Sequence, residues 1–472
     1  MERRTKIICT VGPAIESEEM LEKMMIAGMN VARFNFSHGT HEEHAEKMKR
    51  VKKVAKKLNK YVGILLDTKG PEIRTGLFKD GGCAFKKGDI VSVQKEDVLG
   101  DHDQFTISAK ELFDDVNEND FLLIDDGKIR LTVLSNDRDK ITCRVENPGI
   151  IKSRKGVNVP NVRHSMPFLS DKDIEDIKFG CEMNVDMIAL SFVRRAEDVI
   201  QVRNLLEECG KSDIEIIAKI ENQEGMDNIK GILNEADGVM VARGDLGVEV
   251  STQYVPIYQK TIIKIANEMG KPVITATHML ESMMYTPRPT RAEASDVANA
   301  ILDGSDAIML SGESAVGDYP VESVECMSSI ALAIEKIYPF RERLSNSISS
   351  SERTKNDAIG ISVSESSLTL PNVGAVLAFT ETGGTAKRIC KFRPNAPIIA
   401  CTDSVETCRK LSYYWGVYPI LTEDVSDITK YDDVAMEVAR KFGVEKGQSL
   451  IITSGYGQKH GSTNTMRIIE LE

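Results

Sequence analysis

Short apolar segments alternate with helix-like segments along most of the first 340 residues. The apolar segments are TKIICTV, MNVARFNFSHG, YVGILLD, DMIALSFV, IEIIAKIEN, GVMVARGDLG, PVITATHM and AIMLSGES. Near-continuous apolar runs are typical of strands buried on both faces, and their alternation with helices indicates a parallel sheet. About eight such units predict an α/β fold built on a closed (β/α)8 TIM barrel, in which polar residues at the C-terminal ends of the strands form the reactive site.

Two regions depart from this repeat and predict further domains. Between residues 71 and 167, segments such as FLLIDDGKIRLTVL resemble short alternating strands joined by turns, which predicts an inserted antiparallel β-barrel lid domain. Beyond residue 340, a polar stretch that is either linker or exposed helix precedes apolar runs separated by helical segments, which predicts a C-terminal doubly wound α/β domain. The predicted domains are the barrel at 1–70 and 168–340, the lid at 71–167 and the C-terminal domain at 341–472.

Composition and charge limit the kinds of protein that this chain can be. The net charge of −12 argues against general nucleic-acid binding, because a phosphate backbone requires a basic surface. The nine cysteines include no C-x-x-C pair, which favours reduced thiols in a cytosol over a disulfide framework. No apolar run is long enough to span a bilayer, and the N-terminus has no signal-peptide core. We expect a cytoplasmic protein that binds neither nucleic acid nor membrane.

The segment 214–249 combines two buried runs with charged ends. Lys219 and Glu221 lie two residues apart at the end of the first run, so their side chains project from one face of a strand. Gly244 and Asp245 follow the second run, where glycine lets the backbone approach a ligand closely. Buried charges are costly unless they are paired or bind an ion, so the pattern indicates chemistry, with a structural ion pair of Lys219 and Glu221 or Asp245 as the alternative. Two carboxylates are too few for an all-protein cage, which is usual for Mg²⁺ completed by water and phosphate oxygens.

A second polar face lies earlier in the chain. In RFNFSHG, Arg33, Asn35 and Ser37 alternate with two phenylalanines. A guanidinium beside neutral oxygens suits an anion with a nearby hard cation, whose oxygen ligands would include Asp67 and Thr68. The alternative is a half-exposed strand with a solvated polar face.

Histidines recur every three residues just after this face. They are His38, His41 and His44. The H-E-x-x-H spacing of zinc sites is absent, so we interpret His41 and His44 as side chains on a solvated helix.

Polar residues also end the last two apolar runs of the predicted barrel. Thr275, Thr277 and His278 end the seventh run, and Ser311 and Glu313 end the eighth. Hydroxyl and carboxyl groups at these positions could hold a water that carries a proton, and turn capping is the alternative for Ser311.

The loop after the first strand of the C-terminal domain is rich in hydroxyls and glycines. Its residues are Thr380, Glu381, Thr382, Gly383, Gly384 and Thr385, and it opens a helix. Hydroxyls and backbone N–H groups at a helix start predict an anion site, although the spacing of a Walker loop is absent.

Several strings along the chain occur in an order shared with a known enzyme family. They are RFNFSHG, DTKGPEIRTG, SRKGVNVP, AKIEN, MVARGDLGVE, TATHMLESM, PRPTRAE and SGESA. Together they resemble the motif set of the pyruvate kinase family across the barrel and lid, and the C-terminal third is similar more loosely. The resemblance implies a phosphotransferase that gives pyruvate and ATP from phosphoenolpyruvate and ADP, the last step of glycolysis. Two alternatives stay open: a carbon–carbon lyase that holds Mg²⁺ and an enolate with the same carboxylates, and a silent metabolite sensor.

The resemblance also implies roles for the residues at the strand ends. Arg33, Lys219 and Thr277 would be catalytic, and Glu221 and Asp245 would hold Mg²⁺ (or Mn²⁺). The phosphoryl group would lie between Arg33, Lys219 and this metal, and the substrate carboxylate would meet the Thr277 hydroxyl and the backbone after the sixth run. The implied substrate-binding residues are Arg33, Lys219, Gly244, Asp245 and Thr277.

A monovalent cation and a nucleotide are implied in the same way. The K⁺ ligands would be Asn35, Ser37, Asp67 and Thr68. ADP with a second Mg²⁺ would be bound by Asn35, His38, Arg74 and Lys155. In the family pattern Glu72 accompanies K⁺ dependence, and Lys155 would reach in from the lid.

The chain departs from the family pattern at one position, and the resemblance also implies regulation through the C-terminal domain. His278 stands where the family usually has glutamine, which affects substrate contacts if its side chain faces the site. The family's C-terminal domain binds a sugar-phosphate effector and its subunits form a homotetramer. The implied effector residues are Thr380, Thr382, Gly383, Gly384 and Thr385, with 461–465 as a compatible second loop. The resemblance leaves the proton donor to the enolate unassigned, and we expect no further phosphotransfer domain after Glu472.

Overall fold

A computed structural model describes residues 3–423, 428–455 and 463–472. The chain begins with alternating strands and helices. They are β1 (Lys6–Thr10), α1 (Glu18–Ala27), β2 (Val31–Asn35), α2 (His41–Lys57) and β3 (Gly63–Asp67). Ser17 accepts a hydrogen bond from the Met20 N–H and caps α1, as a hydroxyl before an acidic first turn predicts.

The inserted segment forms short, mainly antiparallel strands with their own apolar core. Its elements are β4 (Gly82–Phe85), β5 (Ile90–Gln94), β6 (Gln104–Thr106), α3 (Leu112–Asp115), β7 (Phe121–Ile124), β8 (Ile129–Asn136), β9 (Lys140–Val145), β10 (Gly149–Lys152) and β11 (Val157–Asn158). The predicted turn between β7 and β8 contains Asp125, Asp126 and Gly127 with positive φ angles of 55°, 58° and 81°. Small polar residues and glycine tolerate this conformation, so the turn chemistry explains the hairpin.

After the lid, the alternation of strands and helices resumes. The elements are α4 (Asp171–Glu182), β12 (Met187–Leu190), α5 (Ala196–Glu208), β13 (Glu215–Ile220), α6 (Gln223–Asp227), α7 (Ile229–Glu235), β14 (Gly238–Ala242), α8 (Arg243–Glu249), α9 (Val255–Met269), β15 (Val273–Ala276), α10 (Arg291–Asp303), β16 (Ala307–Leu310), α11 (Gly312–Ala315) and α12 (Pro320–Glu335). Within the described ranges the parallel strands close into a barrel in the order β1-β16-β15-β14-β13-β12-β3-β2. The predicted closed parallel barrel is therefore confirmed.

The barrel interior is filled by alternate residues of its strands. Ile8, Val31, Leu65, Ala189 and Ile217 belong to one buried apolar cluster, whereas their sequence neighbours pack against the outer helices. Successive strand residues point to opposite faces, so the residue two positions further along each strand also faces inward. At the C-terminal ends, those next positions are polar.

The C-terminal segment forms a second α/β sheet. Its elements are α13 (Phe340–Ser349), α14 (Lys355–Thr369), β17 (Val373–Phe379), α15 (Gly384–Cys390), β18 (Ile398–Thr402), α16 (Val405–Lys410), β19 (Val417–Leu421), α17 (Tyr431–Phe442), β20 (Ser449–Ser454) and β21 (Thr465–Glu470). The polar stretch left open between linker and helix contains α13. The antiparallel edge strand β21, which pairs with β20, was not predicted.

This second domain packs against the N-terminal ends of the barrel strands. Buried carboxylates there pair with its cations: Asp186 with Arg409 at 2.9 Å, and Asp306 with Arg393 at 3.0 Å. At the start of β13, Glu215 accepts from the Tyr413 hydroxyl at 2.6 Å. These contacts occupy the bottom of the barrel, so the opposite rim is left for chemistry.

Helix α2 corrects one prediction about the histidines. His44 is buried, and its ring stacks on Phe36 with a centroid distance of 4.1 Å. His41 is half-buried and pairs with Asp176 at 2.6 Å. The prediction of a solvated face is therefore wrong for His44, because the apolar face of α2 is wider than the spacing of its aliphatic residues suggests.

Within the described residues, no helix combines the length and apolar content needed to cross a bilayer.

Candidate active site

Polar side chains close the C-terminal end of the barrel interior. They are Thr10, Arg33, Asp67, Ser191 and Lys219, each two residues beyond one of the apolar interior residues. All of them are buried. Because five strands deliver these side chains to the same level, charges that are distant in sequence become neighbours.

Asp67 joins the two cations of this layer. Arg33 Nε donates to Asp67 Oδ2 at 2.6 Å, and Lys219 Nζ donates to Asp67 Oδ1 at 3.0 Å. Burial opposes ionisation of the carboxyl, but the adjacent cations outweigh it and lower the pKa of Asp67. Arg33 also donates to the Thr10 hydroxyl at 2.9 Å, which fixes its guanidinium. The carboxylate thus holds both cations in place at the barrel rim.

Lys219 is held by three groups. Its ammonium lies 3.0 Å from Glu221 Oε1 and donates to Ser191 Oγ at 2.7 Å, besides its bond to Asp67. Burial disfavours the charge, but Asp67, Glu221 and Asp245 together raise the pKa of Lys219 above its usual range. The ion pair with Glu221 that was the structural alternative does form, as part of a network that keeps a permanent cation at the rim.

Glu221 and Asp245 place two acids beside this cation. Burial raises the pKa of Glu221 to about 7, Asp245 adds to the rise, and Lys219 opposes it. The Phe192 N–H donates to Glu221 Oε2 at 2.5 Å. Asp245 is exposed, and within residues 3–423, 428–455 and 463–472 its side chain makes no hydrogen bond or salt bridge. Two neighbouring carboxylates whose charges repel each other, one of them free of protein partners, fit a divalent cation.

The backbone after β15 is held in an unusual conformation beside Gly244. Thr277 and His278 have φ angles of 64° and 53°, a region that non-glycine residues rarely adopt. The Gly244 N–H donates to Thr277 Oγ1 at 2.8 Å, and Arg243 Nη2 donates to the Thr277 carbonyl at 2.7 Å. Arg243 is anchored in turn by Asp296 at 2.7 Å. Thr277 and Gly244 therefore form one rigid edge of the site.

The residues predicted to bind a monovalent cation lie at the C-terminal ends of β2 and β3 and just beyond them. Asn35 and Asp67 are direct neighbours across β2 and β3. Asn35 Oδ1 accepts from the Ser37 N–H at 3.1 Å, and the buried Thr68 accepts from Ser191 Oγ through its carbonyl at 2.7 Å. Amide, carboxylate and carbonyl oxygens at one barrel edge are ligand types that fit K⁺ or another hard cation.

Two family models match the chain over most of its length. "Pyruvate kinase, barrel domain" matches residues 2–324, and "Pyruvate kinase, alpha/beta domain" matches residues 357–469. The chain belongs to the pyruvate kinase family. The resemblance found in the sequence is confirmed, and the chain is a phosphotransferase that forms pyruvate from phosphoenolpyruvate with ADP.

Relatives of known identity extend over nearly the whole chain. Pyruvate kinases of Staphylococcus epidermidis and Staphylococcus aureus are both 50% identical to it, over 471 and 470 residues. These alignments cover 99% of this chain and 80% of each relative. A crystal structure of a pyruvate kinase from Cryptosporidium parvum has a TM-score of 0.95 at 38% identity and covers 100% of this chain and 96% of its own. The chain therefore shares its three-part architecture with pyruvate kinases.

The nucleotide-side residues expected in a pyruvate kinase lie where lid and barrel meet. Arg74 forms a two-pronged pair with Glu72, at 2.7 and 2.9 Å. Lys155 pairs with Asp125 of the lid at 2.9 Å, so its ammonium is held within the lid. His38 is exposed at the rim. The structure thus brings Arg74 and Lys155 to the lid base, apart from the buried cluster around Lys219.

The polar residues at the end of β15 and just after it separate into two groups. Thr275 is buried and bonds to Ser305 Oγ at 2.7 Å, on the face turned away from the barrel interior. His278, where the family usually has glutamine, is exposed and lies 3.6 Å from Glu281. A Cβ added at Gly244 would meet His278 Cε1 at 3.6 Å, so the imidazole borders the site without entering the buried cluster.

Glu313 and Ser311 stand at the end of β16. Glu313 is buried, and its carboxylate accepts from the N–H groups of Leu280 at 3.1 Å and Ser311 at 2.8 Å. The Glu313 carboxylate therefore holds the loop after β15 against the end of β16. Ser311 Oγ is buried without a protein partner among the described residues, so its hydroxyl stays available to a water.

The predicted anion loop of the C-terminal domain has the expected backbone. Gly383 precedes α15 with φ of 86°, Thr380 and Thr385 are buried, and Thr382 is exposed. Arg388 Nη1 donates to Thr463 Oγ1 at 3.2 Å, and a Cβ added at Gly384 would lie 3.4 Å from the same nitrogen. The guanidinium of Arg388 therefore folds back over the loop. Gly461 and Ser462 of the second loop lie outside the described residues.

Two residues of the site were missed in the sequence. Ser191 accepts the Lys219 ammonium, and Arg243 locks the backbone of Thr277. The signal for Ser191 was present, because it is the polar end of the segment DMIALSFV and occupies the position that Asp67 and Lys219 occupy on their strands. The role of Arg243 depends on carbonyls more than thirty residues away and has no local signature.

Proposed function

We propose that this chain transfers the phosphoryl group of phosphoenolpyruvate to ADP with the buried rim cluster as its catalytic centre. The observation that carries the proposal is the arrangement Arg33–Asp67–Lys219, which fixes two cations beside the acids Glu221 and Asp245. Phosphoryl transfer requires positioning and charge neutralisation rather than covalent help from the protein. Arg33 and Lys219 supply that neutralisation to the phosphoryl oxygens, and Thr277 takes part through the substrate carboxylate.

The orientation of phosphoenolpyruvate follows from the rigid edge of the site. The backbone at Gly244 and Asp245 and the hydroxyl of Thr277 receive the substrate carboxylate, which directs the phosphoryl group towards Lys219. This assignment is supported by the position of the Gly244 N–H next to Thr277 Oγ1, at 2.8 Å, and by the absence of a Cβ at Gly244. When the substrate carboxylate binds, it replaces the Thr277 hydroxyl as partner of the Gly244 N–H, and it replaces the Ala276 carbonyl, which accepts from the Thr277 hydroxyl at 2.7 Å, as partner of that hydroxyl. A substrate held at both ends loses little entropy in the transition state.

Glu221 and Asp245 hold Mg²⁺ or Mn²⁺ in this proposal. The fit rests on their mutual repulsion and on the exposed, unpartnered carboxylate of Asp245. When bound, the cation supplies charge neutralisation to the transferring phosphoryl oxygens. The protein's own contribution is to keep Glu221 oriented through the Phe192 N–H and to keep Lys219 charged.

K⁺ is proposed at the neighbouring barrel edge. Its ligands are Asn35, Ser37, Asp67 and Thr68. The register that sets Asn35 beside Asp67 supports this set, and a carboxylate has lone pairs enough for a further cation besides its two protein partners. Glu72 is engaged by Arg74 in a two-pronged pair, so its charge is compensated by the protein itself.

ADP is proposed to bind between the lid base and the rim. Its ligands are Asn35, His38, Arg74 and Lys155, and a second Mg²⁺ accompanies the nucleotide. Lys155 exchanges Asp125 for the phosphates of ADP when the nucleotide binds, because both partners are anionic oxygens. The enolate that remains receives its proton from a water or hydroxyl near Thr277 and Ser311. Glu313 takes a structural part, since its oxygens already accept two N–H groups.

Regulation and assembly are proposed from the family and the C-terminal loop. A sugar phosphate binds at Thr380, Thr382, Gly383, Gly384 and Thr385. The position of Arg388 over this loop supports an anionic ligand. We also propose a cytoplasmic homotetramer and domain limits at 1–70, 71–167, 168–340 and 341–472, the last of which begins one residue inside α13.

Pyruvate formation tests the proposed reaction directly. The purified protein is mixed with phosphoenolpyruvate, ADP, Mg²⁺ and K⁺, and pyruvate is followed through a coupled dehydrogenase. We expect pyruvate and ATP in equal amounts and none when ADP is left out. A protein that binds phosphoenolpyruvate but forms no pyruvate would be a sensor, and pyruvate released together with inorganic phosphate in place of ATP would show hydrolysis instead of transfer to ADP. Either result would overturn the proposal.

A further inference from the structure

Among the described residues, one side-chain hydrogen bond joins a strand of the lid to a helix of the barrel. Asn158 Nδ2 donates to Glu249 Oε1 at 2.7 Å. Asn158 is the last residue of β11, and Glu249 is the last residue of α8. Within residues 3–423, 428–455 and 463–472, no other side-chain hydrogen bond or salt bridge links strands β4–β11 to a strand or helix of the barrel. The position of the lid therefore depends on this contact and on the two connecting segments of the chain. Arg194 holds the second of these segments, since it donates to the His164 and Met166 carbonyls at 3.0 and 3.1 Å.

The Glu249 carboxyl is set up to gain or lose its lid partner. It is buried, burial raises its pKa to about 7, and the hydrogen bond from Asn158 opposes that rise. Asp245 adds to the rise, and His164 and Arg194 line the same cavity of about 90 Å³ between lid and barrel. A lid raised from the barrel would expose both Asn158 and Glu249 to water. Such a bond exchanges one partner for another at small cost, as a reversible contact requires.

The two ends of this contact belong to the two halves of the site. On the barrel side, Glu249 and Asp245 are four residues apart on α8 and so lie on one face of the helix. On the lid side, Asn158 follows Lys155 by three residues, and the intervening Gly156 pairs with Arg74 through the backbone. One hydrogen bond thus connects the helix that carries Asp245 to the segment that carries Lys155 and pairs with Arg74.

We propose that the Asn158–Glu249 hydrogen bond seats the closed lid on the barrel and that both are positioning residues for ADP. Neither side chain touches the reacting atoms. Their effect passes through Lys155 and Arg74, which approach the nucleotide only while β11 is docked on α8. The inference rests on the proposed function and deepens it by assigning the lid contact that supports nucleotide binding.

Kinetic constants for each substrate test this inference. In Asn158→Ala and Glu249→Ala we expect KM for ADP to rise about two- to tenfold, the range that one net hydrogen bond supports. KM for phosphoenolpyruvate should stay unchanged, because Lys219, Gly244 and Thr277 are barrel residues. Glu249→Gln keeps an oxygen that accepts from Asn158, so it should behave as the wild type. The double alanine variant should be no worse than either single variant.

Hydrogen exchange gives a readout that does not depend on turnover. Peptides covering β11 should exchange faster in Asn158→Ala and Glu249→Ala than in the wild type and in Glu249→Gln. Glu118→Ala, which removes an exposed lid carboxylate, serves as the matched control and should change nothing.

Three outcomes would overturn the proposed role of the Asn158–Glu249 hydrogen bond. They are a normal KM for ADP with normal exchange in both alanine variants, equal rises in KM for both substrates, and a Glu249→Gln variant as impaired as Glu249→Ala. The second outcome would mean that the substitutions act through α8 itself. A wild type without pyruvate formation would instead refute the proposed function, while the exchange data would still report on the contact.

Discussion

Lys219 Nζ lies 3.0 Å from Asp67 Oδ1, although β13 and β3, which carry the two residues, are separated in the barrel by β12. Their side chains meet because both point into the barrel interior. Ser191 of the intervening segment completes the contact by accepting from the same ammonium at 2.7 Å. The cation is therefore fixed from two sides before any substrate binds, which is the preorganisation that electrostatic catalysis needs.

Replacing Asp67 by asparagine should impair both the stability of the chain and its binding of phosphoenolpyruvate. The change leaves Arg33 and Lys219 as neighbouring buried cations without a shared counter-charge. Removing one partner of a buried charge pair costs about 3–5 kcal/mol, so we expect a lower free energy of unfolding and a higher KM for phosphoenolpyruvate. Denaturant titration and steady-state kinetics measure both. Asp103→Asn, at an exposed lid position, is the control, and a fully stable, fully active Asp67→Asn would contradict the bridge.

Lys219→Met should lower kcat by about 100-fold or more, since it removes transition-state charge neutralisation. Binding of Mn²⁺, followed by calorimetry, should be largely kept, because no metal-ligand candidate is removed. Lys23→Met, an exposed residue of α1 that pairs with Glu19, should leave both quantities unchanged. Undiminished turnover in the Lys219 variant would refute its catalytic role.

Arg243→Lys should raise KM for phosphoenolpyruvate by about tenfold with a smaller effect on kcat. Lysine cannot reproduce the forked contacts of the guanidinium to the Thr277 carbonyl and to Asp296. Without them the left-handed backbone at Thr277 relaxes and the hydroxyl leaves Gly244. The comparison variant is Arg341→Lys, which alters a largely exposed arginine. An unchanged KM for phosphoenolpyruvate in Arg243→Lys would show that the left-handed backbone at Thr277 keeps its conformation without the guanidinium.

The stability of the chain should depend on pH through Glu249. Its pKa is about 7 in the folded chain and 4.5 without burial, so between these values the folded state binds the extra proton. The stabilising contribution of this proton is fully present below pH 4.5 and is lost as pH rises to about 7. We expect Tm of the wild type to fall relative to that of Glu249→Gln across this window, measured by scanning calorimetry. Parallel Tm curves for the two proteins would contradict a raised pKa.

Replacing Na⁺ in the buffer by K⁺ at constant ionic strength should increase the rate of pyruvate formation. Asn35, Ser37, Asp67 and Thr68 offer oxygens to a cation near the substrate phosphoryl group, and the larger ion is the one that the family pattern implies with Glu72. Equal rates in the two salts would count against a monovalent site at this edge.

Much of the fold could be predicted because its signals are local. Each barrel strand is a short apolar run with a helix after it, and each lid hairpin has its own turn residues, so neither depends on distant partners. The edge strand β21 was missed because TMRIIE has mixed polarity and becomes a strand only by pairing with β20. The burial of His44 was missed for a similar reason, since Phe36 and Phe34 reach it from β2 and the loop that follows.

The sequence by itself determined that charged and polar groups end the barrel strands. The two-residue period of a strand and the 3.6-residue period of a helix are local patterns, so they can be recognised in a single segment of chain. The sequence also identified Lys219, Glu221 and Asp245 as one cluster, since two adjacent units carry them. Only the tertiary structure decided that Asp67 bridges Arg33 and Lys219 and that Asn158 docks on Glu249. Such partners depend on the stagger between strands and on where the lid folds back, which are properties of the closed barrel and not of any segment.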